Sequence, residues 1–379
     1  MEALSRMVSA AVGGGFFSGF NVGGNHGSII ISHLLFADDT LLFCEATAGH
    51  IESLKAILLC FEAVSGLKIN LAKTEMVAVG EVNNIRGLAN ILGCVVSSLP
   101  LKYLGLPLGA SFKAKSIWEG VLEKFERRLA GWKKVYLSKG GRITLIKSTL
   151  SNLPTYFLSL FPLPASIAQR LEKLQRDFLW GGIGEEFKYH LVGWDKICTP
   201  LRDGGLGIRD VRAFNMALLG KWLWRYNCER EALWKGVIDI KYGSECGGWC
   251  SKEGRGTYGV GLWKYIRKGW ESFSCNTRLC LGDGSRISFW MDRWVGDLVL
   301  KDAYPTIFAI AREKAAVVAD LRVIFQDTQE WNISLTRDAN DWEVNDLLEF
   351  MNLLYSLPIA ATTEDVMVWR PNRKGKFSH

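Results

Sequence analysis

The sequence has no apolar run long enough to cross a bilayer, which takes about 20 consecutive apolar residues. It does not open like a secretory leader, because Met1-Glu2-Ala3-Leu4-Ser5-Arg6 has no basic stretch leading into an apolar core. Its nine cysteines are an odd number, scattered, with no CxxC pair. That pattern argues against a disulfide framework and favours reduced, buried thiols inside a cell, nuclear or cytoplasmic. There is no His-x-x-x-His pair, and Cys246/Cys250 and Cys275/Cys280 lack zinc-ligand spacing. No zinc site and no membrane partner are expected.

What remains is globular. The chain has 379 residues, 48% of them hydrophobic and 22% charged, enough for two or three domains with real cores. Its net charge of +7 is uneven. Met1 to Phe112 holds six Lys/Arg against eight Asp/Glu, a balance of −2. Lys113 to Arg176 holds thirteen against four, a balance of +9. A local excess of this kind is the footprint of a polyanion partner, or else a solvated helix face.

The chemistry concentrates at Ile30-Ile31-Ser32-His33-Leu34-Leu35-Phe36-Ala37-Asp38-Asp39-Thr40-Leu41-Leu42-Phe43. Two strand-forming apolar runs flank Ala37-Asp38-Asp39, which reads as a hairpin turn. Adjacent carboxylates repel, and burying them is costly unless a cation neutralises them. Mg²⁺ takes carboxylate oxygens and shares its shell with substrate phosphates, so a rigid Asp pair suits two-metal phosphoryl transfer. Alternatively, Asp-Asp is a common turn dipeptide on a solvated hairpin. The apolar flanks favour a central hairpin.

Around this turn the periodicity predicts helices. Met1 to Ala11 carries Leu4, Met7, Val8 and Ala11 on one face, uncapped at its start and stopped by Gly13-Gly14-Gly15. Ile51, Leu54, Leu58 and Phe61 form a second stripe, with Gly66 as its stop. A strand is expected from Met76 to Val79. Leu99 to Gly109 reads as a tight hairpin from its Pro and Gly punctuation, with Gly105 and Gly109 permitting close backbone approach. Ser116 to Tyr136 is a helix with Ile117, Val121, Phe125, Leu129 and Trp132 inward. Lys124, Arg127, Arg128, Lys133 and Lys134 supply its charge. Lys139-Gly140-Gly141-Arg142 breaks this helix, as a phosphate-contacting loop or simply a basic turn. A helix from about Arg142 to Ser151 ends at Pro154. Another, capped by Ser166, carries Ile167, Leu171, Leu174 and Phe178 and closes at Gly181-Gly182.

Eight of the fifteen tryptophans fall between Trp222 and Trp294. They could stack on bases, but at helical spacing the core reading is preferred. Asp210 can cap the helix carrying Val211, Phe214, Leu218 and Trp222. Gly282-Asp283-Gly284-Ser285 reads as a hairpin turn before a strand at Ile287-Ser288-Phe289-Trp290.

The string from Phe36 to Phe43 resembles the catalytic hairpin of reverse transcriptases from plant non-LTR (LINE-type) retrotransposons. Gly66-Leu67-Lys68-Ile69-Asn70 followed by Lys73-Thr74-Glu75 is similar to the family, as are Tyr103-Leu104-Gly105-Leu106-Pro107-Leu108-Gly109, Leu129-Ala130-Gly131-Trp132 and Asp177-Phe178-Leu179-Trp180-Gly181-Gly182. The resemblance implies an α+β fold. A partial polymerase palm, an antiparallel sheet with helices, spans 1–112 and is followed by a basic helical thumb at 113–182. A Trp-rich connection region covers 183–300. The remainder, 301–379, ends at Trp369 to His379, like the start of a zinc-binding module.

The resemblance also implies roles. Asp38 and Asp39 would hold Mg²⁺, and Lys73 would assist the incoming dNTP or the leaving pyrophosphate. Tyr103, Leu104, Gly105 and Gly109 would grip the primer. Lys124, Arg127, Arg128, Lys133, Lys134, Lys139 and Arg142 would contact RNA template and DNA primer through phosphates. No aspartate precedes Asp38, although the family places a catalytic one upstream, along with its fingers. The expectation is therefore the C-terminal part of a longer RNA-directed DNA polymerase, inactive alone. The alternative is a non-catalytic nucleic-acid-binding remnant.

Overall fold

The computed structural model describes every residue except 25, 112, 134–135, 182–188, 255–260, 326–327, 358–362, 373 and 378–379. Helices and short strands are mixed along the chain, giving an α+β protein of two compact units. One comprises residues 1–120 with 236–242, the other 121–235 with 243–379.

The first unit runs α1 (Glu2–Gly13), β1 (Phe20–Gly24), β2 (Gly27–Ile31), β3 (His33–Phe36), β4 (Asp39–Leu42) and α2 (Ala48–Ser65). It continues with β5 (Glu75–Val77), α3 (Ile85–Leu92), β6 (Val95–Ser97), β7 (Leu101–Tyr103) and β8 (Leu106–Leu108). The expected stripe of α2 is buried at all four positions, Ile51, Leu54, Leu58 and Phe61. Thr47 caps the helix by accepting from the His50 amide, and Gly66 ends it at φ 70°. Leu4 and Val8 of α1, Leu88 and Leu92 of α3, and Phe17 close the same core. Each such side chain contributes about 1.5–3 kcal/mol on burial. As the sequence suggests, α1 starts without a side-chain cap.

The strands depart from the expected palm sheet. β1–β2, β3–β4 and β7–β8 are antiparallel pairs, and β5–β6 is a parallel pair. Among the described residues each of these is a two-stranded sheet and none joins another. The Asp-Asp hairpin is therefore not central. Leu35 and Leu42 pack on the helical core, whereas Phe36 is 60% exposed. Period-2 alternation turns one face to the α1–α2 layer and leaves the other to solvent.

The following elements are α4 (Glu119–Lys133), α5 (Lys139–Leu145), a π-helical turn (Ile146–Leu150), α6 (Thr155–Leu158), α7 (Ala165–Trp180), α8 (Trp194–Cys198), α9 (Val211–Cys228), α10 (Leu233–Tyr242), α11 (Leu262–Lys268) and α12 (Trp270–Ser274). A 3₁₀ turn at Ser116–Trp118 precedes α4, whose Val121, Phe125 and Leu129 are buried. Gly140 and Gly141 are not what ends the preceding helix, since α4 stops at Lys133. They lie in the first turn of α5, where Ser138 Oγ accepts from the Gly141 amide at 3.1 Å. Ser166 does not cap α7: Pro164 holds that position without a side-chain cap. Gly182, expected beyond its end, lies outside the described residues. Asp210 caps α9 as expected, accepting from the Arg212 and Ala213 amides.

The remaining elements are β9 (Thr277–Cys280), β10 (Arg293–Val295), β11 (Leu298–Val299), α13 (Leu300–Ala303), α14 (Pro305–Ile310), α15 (Val318–Leu321), β12 (Arg322–Phe325), β13 (Thr328–Trp331), α16 (Val344–Tyr355) and β14 (Val366–Trp369), all in the second unit. β9 pairs with β14, antiparallel. No hairpin forms at 282–285 and no strand at 287–290. The buried carboxylate of Asp365 instead accepts from the amides of Gly282, Gly284 and Arg286 at 2.7, 3.0 and 2.9 Å. A Cβ at Gly282 would fall 2.2 Å from the Thr363 carbonyl oxygen, so only glycine fits that approach.

Between Trp222 and Trp294, Trp249, Trp263, Trp290 and Trp294 are buried as core. Trp290 is fully buried, stacks on Phe350 at 5.4 Å and meets Phe289 edge-on at 5.0 Å. The thiols depart from expectation. All nine cysteines are free, but only Cys250 is buried, and Cys60, Cys228, Cys246 and Cys275 are exposed. Among the described residues no helix is long and apolar enough to cross a membrane.

Candidate active site at the Asp38–Asp39 turn

Phe36 pairs with Asp39 across β3 and β4, leaving Ala37 and Asp38 as a two-residue turn. Ala37 takes φ 51°, and Asp38 does not share the positive sign. That pattern belongs to a type II′ turn, whose first position ordinarily falls to glycine. Asp38 stands at the tip and Asp39 opens β4, both exposed to solvent. The desolvation cost anticipated for a buried pair does not arise here.

The hairpin is held at its base as well as by its apolar face. His33 lies between two serines, with Nε2 2.7 Å from Ser5 Oγ of α1 and Nδ1 2.9 Å from Ser32 Oγ. The Phe43 amide donates to the Ser32 carbonyl at 2.8 Å, extending the ladder by one bond. His33 was not singled out from sequence. Its place directly before the apolar run, flanked by Ser32, was the available signal.

The β7–β8 hairpin turns through Leu104 and Gly105 at φ 48° and 79°, the two positive values of a type I′ turn. Gly109 is also left-handed, at φ 79°, and a Cβ there would meet the Leu99 side chain at 2.8 Å. Its glycine therefore answers to packing within the hairpin. Tyr103, at the end of β7, is the residue that the structure associates with the acidic turn. Burial raises its phenol pKa first, and the Asp39 carboxylate raises it further. Lys73 is exposed, with its amide bonded to Asn70 at 3.0 Å. Among the described residues no ion pair joins Lys73 to Asp38 or Asp39.

In the second unit, the cations expected to meet phosphates divide into two sets. Lys124 and Arg128 are exposed on α4 and form no ion pair among the described residues. Arg127 pairs with Glu123 one turn back at 2.8 Å, with both side chains exposed, an arrangement of small energy. Lys133 is the last residue of α4, and Lys134 lies outside the described residues. Lys139 and Arg142 are engaged differently. Arg142 is buried and donates through Nη1 to the Phe178 carbonyl at 2.9 Å and to that of Gly181. Lys139 Nζ donates to the Leu179 and Trp180 carbonyls at 2.9 and 3.0 Å. Both cap the C-terminus of α7, where cations offset the helix dipole.

Among the described residues no group of three or more His, Cys, Asp or Glu is placed to hold a metal. Mg²⁺ asks for less: one or two carboxylates, with waters and substrate phosphates completing the shell. Asp38 and Asp39 fit that donor chemistry as a partial shell.

Residues 7–108, which contain the Asp-Asp hairpin and end at β8, match the reverse transcriptase (RNA-dependent DNA polymerase) family. A protein of Arabidopsis thaliana named as a ribonuclease H protein is 38% identical over 190 residues, 48% of this chain. The matched stretch spans 29% of that relative's length. A second Arabidopsis thaliana protein, named as an uncharacterized mitochondrial protein, is 32% identical over 147 residues. Those residues are 38% of this chain and 94% of that relative. The chain thus belongs to one family with this mitochondrial protein of Arabidopsis thaliana, and it carries over residues 7–108 the sequence of a reverse transcriptase domain.

Proposed function

We propose that this chain is a palm-and-thumb segment of a LINE-type reverse transcriptase, built to hold RNA template and DNA primer beside Asp38 and Asp39. The observation that carries the reading is the match of residues 7–108 to the reverse transcriptase family, a stretch that takes in both the Asp38–Asp39 turn and the β7–β8 hairpin. In this reading Tyr103 stays protonated and donates from its phenol, while the tight turn at Leu104 and Gly105 sets its strand against the primer backbone. The matched family generally uses Mg²⁺. Bound at Asp38 and Asp39, such a cation would neutralise charge on the reacting phosphates. Lys73 serves the triphosphate as a point charge, and Lys124, Arg127 and Arg128 serve the duplex backbone. Lys139 and Arg142 act indirectly, by fixing α5 against the end of α7.

Two carboxylates hold the cation weakly, and geometry supplies most of the catalysis of phosphoryl transfer. The chain by itself is accordingly a binder of template and primer without polymerase activity. The test combines two measurements on the purified chain. Template–primer affinity should fall with salt, and more gently in Lys124→Gln with Arg128→Gln, since each duplex phosphate contact contributes about 0.9 to the salt slope. Affinity indifferent to salt and to both substitutions defeats the reading. Mg²⁺-dependent primer extension that disappears in Asp38→Ala would overturn the claim of inactivity and keep the assignment of the site.

A further inference from the structure

The second unit contains a cleft of about 890 Å³ at the C-terminal end of α9, bounded by β14 and the turn that follows it. Four cations line it, Arg230, Arg286, Lys374 and Lys376, and four acids, Glu229, Glu231, Glu364 and Asp365. The counts balance, but the partners do not. Glu229 is held by both ends of the Arg225 guanidinium and by Trp234. Glu364 is paired with Arg230 at 2.9 Å. Asp365 is buried and saturated by three amides. Asp365 keeps its charge, so among the described residues Glu231 and Asp365 are left against Arg286, Lys374 and Lys376.

Arg286 is fixed in the wall. Its Nε donates to the Gly247 carbonyl at 2.8 Å, its Nη2 to Asn227 Oδ1 at 3.1 Å, and its guanidinium lies 3.8 Å from the Trp249 ring centroid. Carbonyls and an amide hold it in place. Burial lowers its pKa and the positive charge of Arg230 lowers it further, while the Asp365, Glu364 and Asp283 carboxylates raise it. The lysines are presented by a closed turn, in which the Trp369 amide donates to Gly375 and the Gly375 amide to Asn372, each at 2.8 Å. Gly375 takes φ 66° there. Beneath it, Trp224 and Phe377 stack at 6.0 Å.

We propose that this cleft is a phosphate-binding site, with Arg286 at its wall and Lys374 and Lys376 at its rim. A nucleic-acid strand or a free polyphosphate would bring the same chemistry. Every lining residue belongs to the second unit, so the proposal stands or falls apart from the Asp38–Asp39 turn.

Cys228 provides a local reporter. It lines the cleft and its residue is exposed; partial burial of the thiol and the Glu229 charge raise its pKa, and Arg230 and Arg286 lower it. The experiment follows alkylation of the full chain by iodoacetamide with peptide mass spectrometry, using exposed Cys60 as internal control. It is run with a single-stranded oligoribonucleotide and, separately, with inorganic pyrophosphate. Slowing of Cys228 alone by the oligonucleotide assigns a strand. Slowing by pyrophosphate, with or without the oligonucleotide, assigns free phosphate groups. In either case Lys374→Gln with Lys376→Gln should abolish the slowing. For a strand, these substitutions should also cut the salt slope by about 1.4, at about 0.7 per contact. Arg286 is left intact because its contacts also support the fold. No slowing by either probe, or slowing that survives both substitutions, overturns the proposal.

Discussion

Asp39 and Tyr103 sit on different hairpins, yet the carboxylate of the first raises the pKa of the phenol of the second, adding to the larger effect of burial. Converting Asp39 to Asn should therefore lower the Tyr103 pKa part of the way, leaving the contribution of burial. Asp38→Asn should change it less. Titration of ¹³C-labelled tyrosine by NMR reads this directly. A Tyr103 pKa untouched by Asp39→Asn would separate the two hairpins.

The turn that carries the acids holds a strained residue. Ala37 at φ 51° pays no compensating packing, being exposed. A left-handed L-residue costs about 1–2 kcal/mol, and glycine gives back about 0.5–1 kcal/mol in chain entropy. Ala37→Gly should then stabilise the chain by roughly 0.5–1 kcal/mol. In urea the midpoint would rise with an unchanged slope. Ala37→Val should lower it.

Arg142 is a structural cation. Replacing it with Met leaves the Phe178 and Gly181 carbonyls at the end of α7 without their donor. The expected loss is about 1.5–3 kcal/mol, typical of hydrogen bonds to a charged group. Lys139→Met should cost about 0.3–1 kcal/mol, the scale of a helix-end charge. Denaturant unfolding measures both. Loss of template affinity at unchanged stability would return these two residues to the phosphate-contacting role read from sequence.

Asp292 should make the second unit more stable in mild acid and less stable as pH rises. Burial pushes its carboxyl up from 3.8 to about 6, against the Ser288 amide that donates to it at 2.7 Å. The folded form holds the proton more tightly than the unfolded form. Its stabilisation is thus full below pH 3.8 and lost as pH rises through about 6. Relative to the parent, Asp292→Asn should gain up to about 3 kcal/mol over that interval, at 1.36 kcal/mol per unit. Paired thermal melts across the range test this, and a difference that stays flat with pH rejects it.

Local pattern was legible in the sequence wherever one element supplied the whole signal. The stripe Ile51, Leu54, Leu58 and Phe61 with its Gly66 stop needed no tertiary knowledge, and neither did Asp210 as a cap or the turn at Ala37-Asp38-Asp39, of which Asp39 belongs to β4. Failures came where the partner lies far along the chain. Lys139 and Arg142 flank two glycines, and that motif reads the same whether the cations face solvent or the end of α7. The Gly282 to Ser285 segment has the composition of a hairpin turn, but its amides are satisfied by Asp365 instead of a neighbouring strand. The apolar runs around Asp38 did signal strands. They could not say how many other strands would lie beside them, because hydrophobicity reports burial of a face and not pairing of an edge.

The Asp365 carboxylate also sets an order of events. The loop at 282–286 cannot satisfy its amides, and β9 cannot pair, until residues 365–369 exist. A ribosome making this chain will have released the whole intervening stretch, with its fully buried Trp290 and Phe289, before the closing acceptor emerges. Loop closure of that length is slow relative to local helix formation. During synthesis the second unit therefore spends its most exposed interval with an aromatic core assembled around an open seam, and that interval is when a chaperone has most to protect.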